Sequence, residues 1–291
     1  MSTYTDISYT SEDGLRLHAR DYAAGATGPA RLPVICIHGL TRNASDFDEL
    51  APRIAGLSRR VLALDVRGRG DSDRDPNPDN YKPAVYAADV AVLMQQQAIE
   101  RAIFIGTSMG GLITMTLALD HLDRIAGAVL NDIGPVIAET GLARIAGYAG
   151  LCTALSSWDE AAAYVRGINQ AAFPGYGEDE WVSWARRAFG QDADGRLLPR
   201  YDPAIANTLQ KGKLKISSPA LRKGFRRLVH ARPTLLVRGA LSDLLEPTQA
   251  AWMRKNAPAL DYVEVPDVGH APMLTEPAAW EAIRAFLARL P

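Results

Sequence analysis

The sequence lacks the features that would assign it to a specialised class of protein. Its 291 residues include only two cysteines, Cys36 and Cys152, which lie far apart. Two isolated cysteines exclude a disulfide framework and a four-cysteine zinc site, and Cys36, in an apolar run, is expected to be a buried small hydrophobe. No apolar run reaches the ~18 residues of a membrane-spanning helix, and the N-terminal segment has no apolar signal core. We therefore expect a cytoplasmic protein.

The sequence also lacks an excess of either charge. Lysine and arginine number 32 against 33 acidic residues, which gives a net charge of -1. Without a basic field, nothing in the composition favours nucleic acid or an anionic membrane as a partner. With 47% hydrophobic and 22% charged residues, the chain is typical of a globular enzyme. We expect a partly apolar small molecule as its substrate, and the composition does not indicate an oligomeric state.

Short apolar runs predict a sheet that is covered on both faces. Such runs lie at 34–37, 61–64, 102–105, 128–130 and 234–237. A weaker run at 262–265 contains Glu264 and is expected near the sheet edge. Residues 15–20 alternate between apolar and polar, which indicates a half-exposed antiparallel strand. Helical patterns at 86–98, 112–122 and 277–290 lie between these strands, so the sequence predicts a mostly parallel sheet with helices on both faces.

The alternation stops after residue 132. Residues 133–230 contain no convincing strand, but they contain helical patterns and many aromatic residues: Trp158, Tyr164, Phe173, Tyr176, Trp181, Trp184, Phe189 and Tyr201. We predict a discontinuous catalytic core, 1–132 and 231–291, with an inserted helical cap, 133–230. The aromatic residues of the cap would either line an apolar pocket or pack its helices together.

The sharpest local motif is Gly106-Thr107-Ser108-Met109-Gly110. It follows an apolar strand and precedes an apolar helix, which is the context of a nucleophile elbow. The flanking glycines permit a tight turn that exposes the serine hydroxyl. The backbone N–H of Met109 would lie at a helix N-terminus, where an oxyanion could form.

A serine nucleophile needs a base, and His270 is the best candidate among five histidines. His270 lies in a loop between the last strand and the last helix, from which it can reach the elbow. We expect His18 and His121 to lie on the surface, and His230 to lie at the end of the sheet away from the elbow. The fifth, His38, is expected to organise its loop.

Two aspartates could orient this base. Asp243 and Asp132 each follow a strand, and either gives the chain order of nucleophile, acid and base that this motif requires. Asp243 is preferred because its loop is longer and closer in sequence to His270. Asp132 remains the alternative acid or a structural cap of its loop.

Two loops that follow early strands complete the predicted site. In His38-Gly39-Leu40 the backbone N–H of Leu40 is a candidate second oxyanion donor. The turn at 65–72 contains GxG but not GxGxxG, so it predicts a turn packed under the active site better than a nucleotide site.

Together these motifs resemble the α/β-hydrolase superfamily over nearly the whole chain. The resemblance rests on the His38-Gly39 loop, the turn at 65–72, the elbow at Ser108, an acid at Asp243 and the Gly269-His270 loop. It implies an eight-stranded, mostly parallel sheet and a cap inserted after the sixth strand. It also implies acyl transfer by Ser108, His270 and Asp243, with the amides of Leu40 and Met109 as the oxyanion hole and no metal or organic cofactor.

The resemblance is less specific for the substrate. Ser108 argues against the dehalogenases and epoxide hydrolases of this fold, which use an aspartate nucleophile, and we favour a carboxylic ester hydrolase. A carbon–carbon bond hydrolase of ring-cleavage products is the close alternative, although many of these carry tryptophan after the histidine, where this chain has Ala271. Lactonase and cofactor-free perhydrolase activities stay open, as does a non-enzymatic small-molecule receptor of the same fold.

Overall fold

A single large sheet forms the centre of the fold, in a computed structural model that describes residues 4–25, 29, 31–210 and 217–291. Its strands are β1 (Thr5–Thr10), β2 (Arg16–Tyr22), β3 (Val34–Ile37), β4 (Val61–Asp65), β5 (Ala102–Thr107), β6 (Ile125–Asn131), β9 (Thr234–Gly239) and β10 (Asp261–Val265), whereas β7 (Phe189–Gln191) and β8 (Leu197–Pro199) pair separately. The spatial order is β1-β2-β4-β3-β5-β6-β9-β10. β2 is antiparallel to β1 and β4, and all other pairs are parallel. This confirms the predicted eight-stranded sheet.

Helices cover both faces of the sheet. They are α1 (Leu50–Ala55), α2 (Pro83–Gln96), α3 (Met109–Asp120), α4 (Glu139–Ala146), α5 (Trp158–Asn169), α6 (Glu178–Ala188), α7 (Asn207–Gln210), α8 (Pro219–Ala231), α9 (Pro247–Asn256) and α10 (Pro277–Ala288). The buried sides of α2, α3, α8 and α9 form one apolar layer with the sheet. Those of α1 and α10 belong to the layer on the other face. The central strands β3, β5 and β6 are buried on both sides, which explains their uninterrupted apolar sequence.

Most local predictions for the core are confirmed, but β2, which was expected to be half-exposed, is buried from Leu17 to Arg20. The three predicted helices correspond to α2, α3 and α10, and the strand that contains Glu264 is β10, at the sheet edge. Cys36 is fully buried in β3. Within the described residues, no helix combines the length and the apolar character needed to cross a membrane.

The segment between β6 and β9 contains α4 to α8 together with the hairpin β7–β8. The expectation that this segment contains no strand is therefore wrong, because β7 and β8 form a short antiparallel pair. Its last helix, α8, packs against α3 of the core. Gly224 makes this close approach possible, since a Cβ there would lie 2.0 Å from the carbonyl oxygen of Met115. The division into core and cap stays a prediction, but the contacts of α8 are with the core.

Most aromatic side chains of the inserted segment pack against one another. Phe173 and Trp184 meet edge to face with ring centroids 5.0 Å apart, and Trp181 stacks on Trp184 at 5.9 Å. Trp181, Phe173 and Trp184 are almost fully buried. The expectation that such residues pack the inserted helices together therefore holds for this cluster, because α5 and α6 need an apolar interior of their own.

Candidate active site

Ser108 lies at the sharp turn between β5 and α3, as predicted. Its backbone has φ 52° and ψ -110°, a combination that residues other than glycine rarely adopt. Glycine is also required at both flanking positions, because a side chain there would overlap neighbouring backbone atoms. A Cβ at Gly110 would lie 2.1 Å from the carbonyl oxygen of Ile37, and a Cβ at Gly106 would lie 2.4 Å from the Gly110 backbone. The turn therefore holds the serine in a strained conformation by close packing against β3.

A continuous hydrogen-bonded chain runs from Ser108 through His270 to Asp132. The Ser108 Oγ lies 2.8 Å from His270 Nε2, and His270 Nδ1 lies 2.7 Å from Asp132 Oδ2. The loop after β10 thus brings His270 to the elbow, as the sequence predicts. With Nδ1 donating to the carboxylate, Nε2 is free to accept the serine proton.

Asp132 is completely buried and fully hydrogen-bonded. Its Oδ1 accepts the N–H of Gly239 at 2.9 Å, and its Oδ2 accepts the hydroxyl of Ser242 at 2.5 Å as well as the His270 ring. These donors satisfy a carboxylate that burial would otherwise destabilise. The residue also has a positive φ of 55°, which turns the chain away from the end of β6.

The preferred acid, Asp243, makes no hydrogen bond with His270, and the structure corrects this expectation. Its carboxylate instead pairs with Arg144 of α4, with 2.6 Å to Nε and 2.9 Å to Nη2. Burial acts to raise the pKa of Asp243, but the hydrogen bond and charge of Arg144 outweigh it and lower that pKa. The neighbouring Ser242, not Asp243, reaches inward and hydrogen-bonds to Asp132, because the loop after β9 turns the Asp243 side chain toward the inserted segment.

The two predicted oxyanion residues, Leu40 and Met109, line the same cavity as Ser108. Arg69 connects them. Its Nε donates to the carbonyl of Leu40 at 3.0 Å, and its Nη2 lies 3.5 Å from the Met109 sulfur. This arginine is almost completely buried. The turn at 65–72 therefore packs beneath the candidate site, as expected, and contributes a buried arginine that holds both loops.

His38 has structural contacts, in agreement with its prediction. Its Nδ1 donates to the carbonyl of Gly39 at 2.7 Å, and its Nε2 accepts the N–H of Val66 at 3.1 Å. Burial lowers the pKa of His38 to about 4, so the ring is neutral at physiological pH. A neutral ring fits one donated and one accepted hydrogen bond.

His18 is buried, contrary to the expected surface position. It lies between two carboxylates, with Nδ1 2.7 Å from Asp65 and Nε2 2.9 Å from Asp6. Burial acts to lower the pKa of His18, but the hydrogen bonds to Asp65 and Asp6 and the charges of Asp65 and Asp71 raise it overall. Among the described residues, His18, Asp65 and Asp71 also form a group whose possible ligand atoms are close enough together to hold a metal ion. With both ring nitrogens taken by carboxylates, the arrangement fits an imidazolium better than a metal ligand.

Two cavities are lined by Ser108, and a third shares Arg42 with one of them. The apolar cavity encloses about 610 Å³ of empty space, partly open to solvent, and its walls are mainly aliphatic: Leu112, Ile133, Ile137, Leu142, Ile145, Ile205, Leu209 and Leu244. The polar cavity lies on the His270 side and is lined by Arg42, Asp46, Ala271 and Met273, among others. The distal cavity continues from Arg42 under the inserted helices and is lined by Thr41, Tyr148, Tyr164, Trp184 and Tyr201, among others.

The expectation that aromatic residues of the inserted segment line a pocket therefore applies only to the distal cavity. There, Tyr164, Trp184, Phe189 and Tyr201 contribute to the walls. The apolar cavity is instead lined by aliphatic residues, among them those of α4 and of the loop after β6.

Two residues that the sequence analysis missed support the candidate site. The Asn131 amide donates to Thr107 Oγ1 at 3.0 Å and to the carbonyl of Pro272 at 2.8 Å, which joins the elbow to the His270 loop. Ser242 hydrogen-bonds to Asp132. Both are adjacent to an aspartate that was considered, and a polar residue beside such a candidate at a strand end is the signal that could have identified them.

Known proteins resemble this chain over most of its length. A family model described as alpha/beta hydrolase fold matches residues 33–277. A 3-hydroxybutyrate-oligomer hydrolase from Cupriavidus necator is 36% identical over 84% of this chain and 84% of its own. A 2-(acetamidomethylene)succinate hydrolase from Mesorhizobium japonicum is 28% identical over 81% of each chain. A crystal structure of an alpha/beta hydrolase from Novosphingobium aromaticivorans aligns with a TM-score of 0.91 and 41% identity over 99% of both chains.

Proposed function

Because the chain belongs to the alpha/beta hydrolase fold family, we propose that it hydrolyses carboxylic esters through a serine acyl-enzyme. The observation that carries this proposal is the unbroken chain Ser108–His270–Asp132, with 2.8 Å and 2.7 Å between the bonded atoms. We assign the acid role to Asp132, the alternative of the sequence analysis, because of its contact with the base.

The first half of the reaction forms the acyl-enzyme. His270 Nε2 takes the hydroxyl proton as Ser108 Oγ attacks the ester carbonyl. The amides of Leu40 and Met109 stabilise the negative charge on the carbonyl oxygen. When the tetrahedral intermediate collapses, the bond to the alcohol oxygen breaks, and His270 gives its proton to the leaving alcohol.

The second half releases the acid. His270 takes a proton from water, which attacks the acyl carbonyl, and then returns that proton to Ser108 Oγ. Asp132 keeps its negative charge throughout, fixes the tautomer of His270 and stabilises the imidazolium. Its bonds to Ser242 and Gly239 hold the carboxylate in position for this role.

The cavities suggest which side of the ester lies where. His270 must protonate the leaving alcohol, and His270 lines the polar cavity. We therefore assign the alcohol to the polar cavity and the acyl chain to the apolar cavity, whose described lining carries no charged side chain. α4 contributes Leu142 and Ile145 to the apolar wall, which supports a cap role for the inserted segment.

One relative favours ester cleavage over the alternatives. The relative at 36% identity is named for oligomers of a hydroxy acid, and we infer an ester substrate for this chain as well. Carbon–carbon, lactone and perhydrolase chemistry could use the same triad, so the assay must include them. The cytoplasmic location stays a prediction.

The test combines labelling with turnover. We expect a fluorophosphonate to modify Ser108 in the wild-type protein, as read by peptide mass spectrometry, and Ser108→Ala to remove both the label and hydrolysis of p-nitrophenyl butyrate. A folded wild-type protein that is neither labelled nor active would overturn the proposal in favour of a receptor. Faster cleavage of a vinylogous 1,5-diketone than of any ester would favour the carbon–carbon hydrolase.

A further inference from the structure

Arg42 lies where the polar cavity meets the distal cavity, and it lines both. It follows the Leu40 loop directly, so its position is fixed by the same turn that supplies a proposed oxyanion donor. A leaving alcohol in the polar cavity would therefore extend past this guanidinium before it reached the distal cavity.

The Arg42 side chain is held on two sides. Its Nε donates to Asp46 Oδ2 at 2.7 Å, and its guanidinium carbon lies 4.1 Å from the centre of the Trp184 ring. The side chain is 19% exposed. A guanidinium that is stacked and paired in this way is already oriented, so little rotamer entropy remains to be lost on binding.

The N–H groups on the outer edge of the same guanidinium lack strong hydrogen-bond acceptors among the described residues. Among the residues that the structure describes, its Nη2 hydrogen-bonds only to the Met273 sulfur, at 3.5 Å, and its Nη1 has no hydrogen-bond partner. A thioether is a weak acceptor. Two parallel N–H groups on one edge of arginine match the two oxygens of a carboxyl group.

We propose that Arg42 recognises a carboxyl group on the leaving alcohol, so that the preferred substrates are esters of hydroxy acids. The proposal rests on the proposed ester hydrolysis and adds the class of alcohol and the residue that selects it. Asp46 offsets the charge of Arg42, so recognition depends on the paired hydrogen bonds. The carboxyl group is either a free carboxylate or a further ester in a longer oligomer.

The test keeps the acyl group constant and varies the alcohol. Three butyryl esters are compared: that of 3-hydroxybutyric acid, that of its methyl ester, and sec-butyl butyrate, which has no carboxyl group. We expect the wild-type protein to cleave the first two with kcat/KM about tenfold or more above the third. A preference for the free acid indicates a chain end as the ligand, whereas similar rates for acid and methyl ester indicate an interior ester.

The variants are Arg42→Met and Arg42→Lys, each judged by the ratio of carboxyl-bearing to plain ester. We expect Arg42→Met to reduce that ratio about tenfold or more and Arg42→Lys to restore little of it, because lysine lacks the fork. The matched control is Arg186→Met, an exposed arginine on α6 that stacks on Trp158 at 4.7 Å, and it should keep the wild-type ratio.

Two results would overturn the assignment, and they can be told apart. If the wild-type protein cleaves all three esters at similar rates, Arg42 does not select the alcohol, while the proposed hydrolysis stands. If no ester is cleaved and Ser108 is not labelled, both proposals fail. As a readout without turnover, calorimetry with Ser108→Ala should detect tighter binding of the carboxyl-bearing esters, and the added Arg42→Met change should remove that difference.

Discussion

Asp132 Oδ2 lies 2.7 Å from His270 Nδ1, although 138 residues separate the two in the chain. The proposed acid follows β6, two strands away from the edge strand β10 that precedes the proposed base. The His270 ring is therefore oriented from the middle of the sheet, where Asp132 is shielded from solvent, rather than from the partly exposed loop that carries Asp243.

The choice of acid predicts unequal effects of two similar substitutions. We expect Asp132→Asn to lower kcat about 10⁴-fold, because the amide cannot hold the required tautomer of His270. Asp243→Asn should lower kcat less than about tenfold, since it removes only a partly exposed ion pair with Arg144. Steady-state hydrolysis of p-nitrophenyl butyrate measures both, with circular dichroism as the folding control. A larger loss for Asp243→Asn would return the acid role to that residue.

The space around two glycines, one in the elbow and one in α5, predicts opposite outcomes for their substitution by alanine. Gly110→Ala places a methyl group 2.1 Å from the Ile37 carbonyl oxygen, so we expect a large loss of stability and of serine labelling. Gly167→Ala, within α5, meets no atom within 4 Å and should stabilise the protein by about 0.5–1 kcal/mol. Thermal unfolding of both variants measures this contrast. Equal stability of the two would contradict the packing argument.

The buried Arg69 predicts a catalytic effect from a residue that does not touch the reacting atoms. Arg69→Met removes the contact with the Leu40 carbonyl, and we expect kcat to fall about 10²-fold as the oxyanion donors lose their alignment. Rates are normalised to the fraction of protein that a phosphonate labels, because partial unfolding would lower that fraction. A purely structural role would leave kcat per labelled serine unchanged.

The His18 cluster predicts a pH-dependent contribution to stability. The pKa of His18 is raised above its ordinary value of 6.5 in the folded protein, so its stabilisation is complete below that pH and is lost as pH rises through the folded-state pKa. The difference in unfolding free energy between wild type and His18→Gln should therefore be larger at pH 5.5 than at pH 9. Urea titrations at the two pH values measure it, and Asp6→Asn should show a smaller change of the same sign. A difference that does not vary with pH would mean that folding leaves the pKa of His18 unchanged, which would contradict the prediction.

Features that depend on short stretches of sequence were predictable. The elbow around Ser108 needs only a strand, two glycines and a helix, and the structure places all of them there. His270 was identified because the other histidines lay on unsuitable elements. Such features follow from local backbone geometry, which neighbouring residues determine.

Features that depend on contacts between distant segments were not predictable. Asp132 and Asp243 both follow parallel strands, and only the folded loops decide which carboxylate faces His270. His18 alternates with apolar neighbours as a surface residue would, but the turn at 65–72 covers it. The free edge of Arg42 depends on how Asp46 and Trp184 take up the rest of its guanidinium.

Asp132 also joins the two ends of the inserted segment. Its N–H donates to the carbonyl of Val237 at 2.8 Å, and its carboxylate accepts the N–H of Gly239. These bonds join the end of β6, where the segment begins, to β9, which follows it. Roughly a hundred residues leave and re-enter the sheet through that junction. We therefore expect that this segment can be lengthened, shortened or exchanged, with a change in the substrates accepted, while the contacts among Ser108, His270 and Asp132 stay the same.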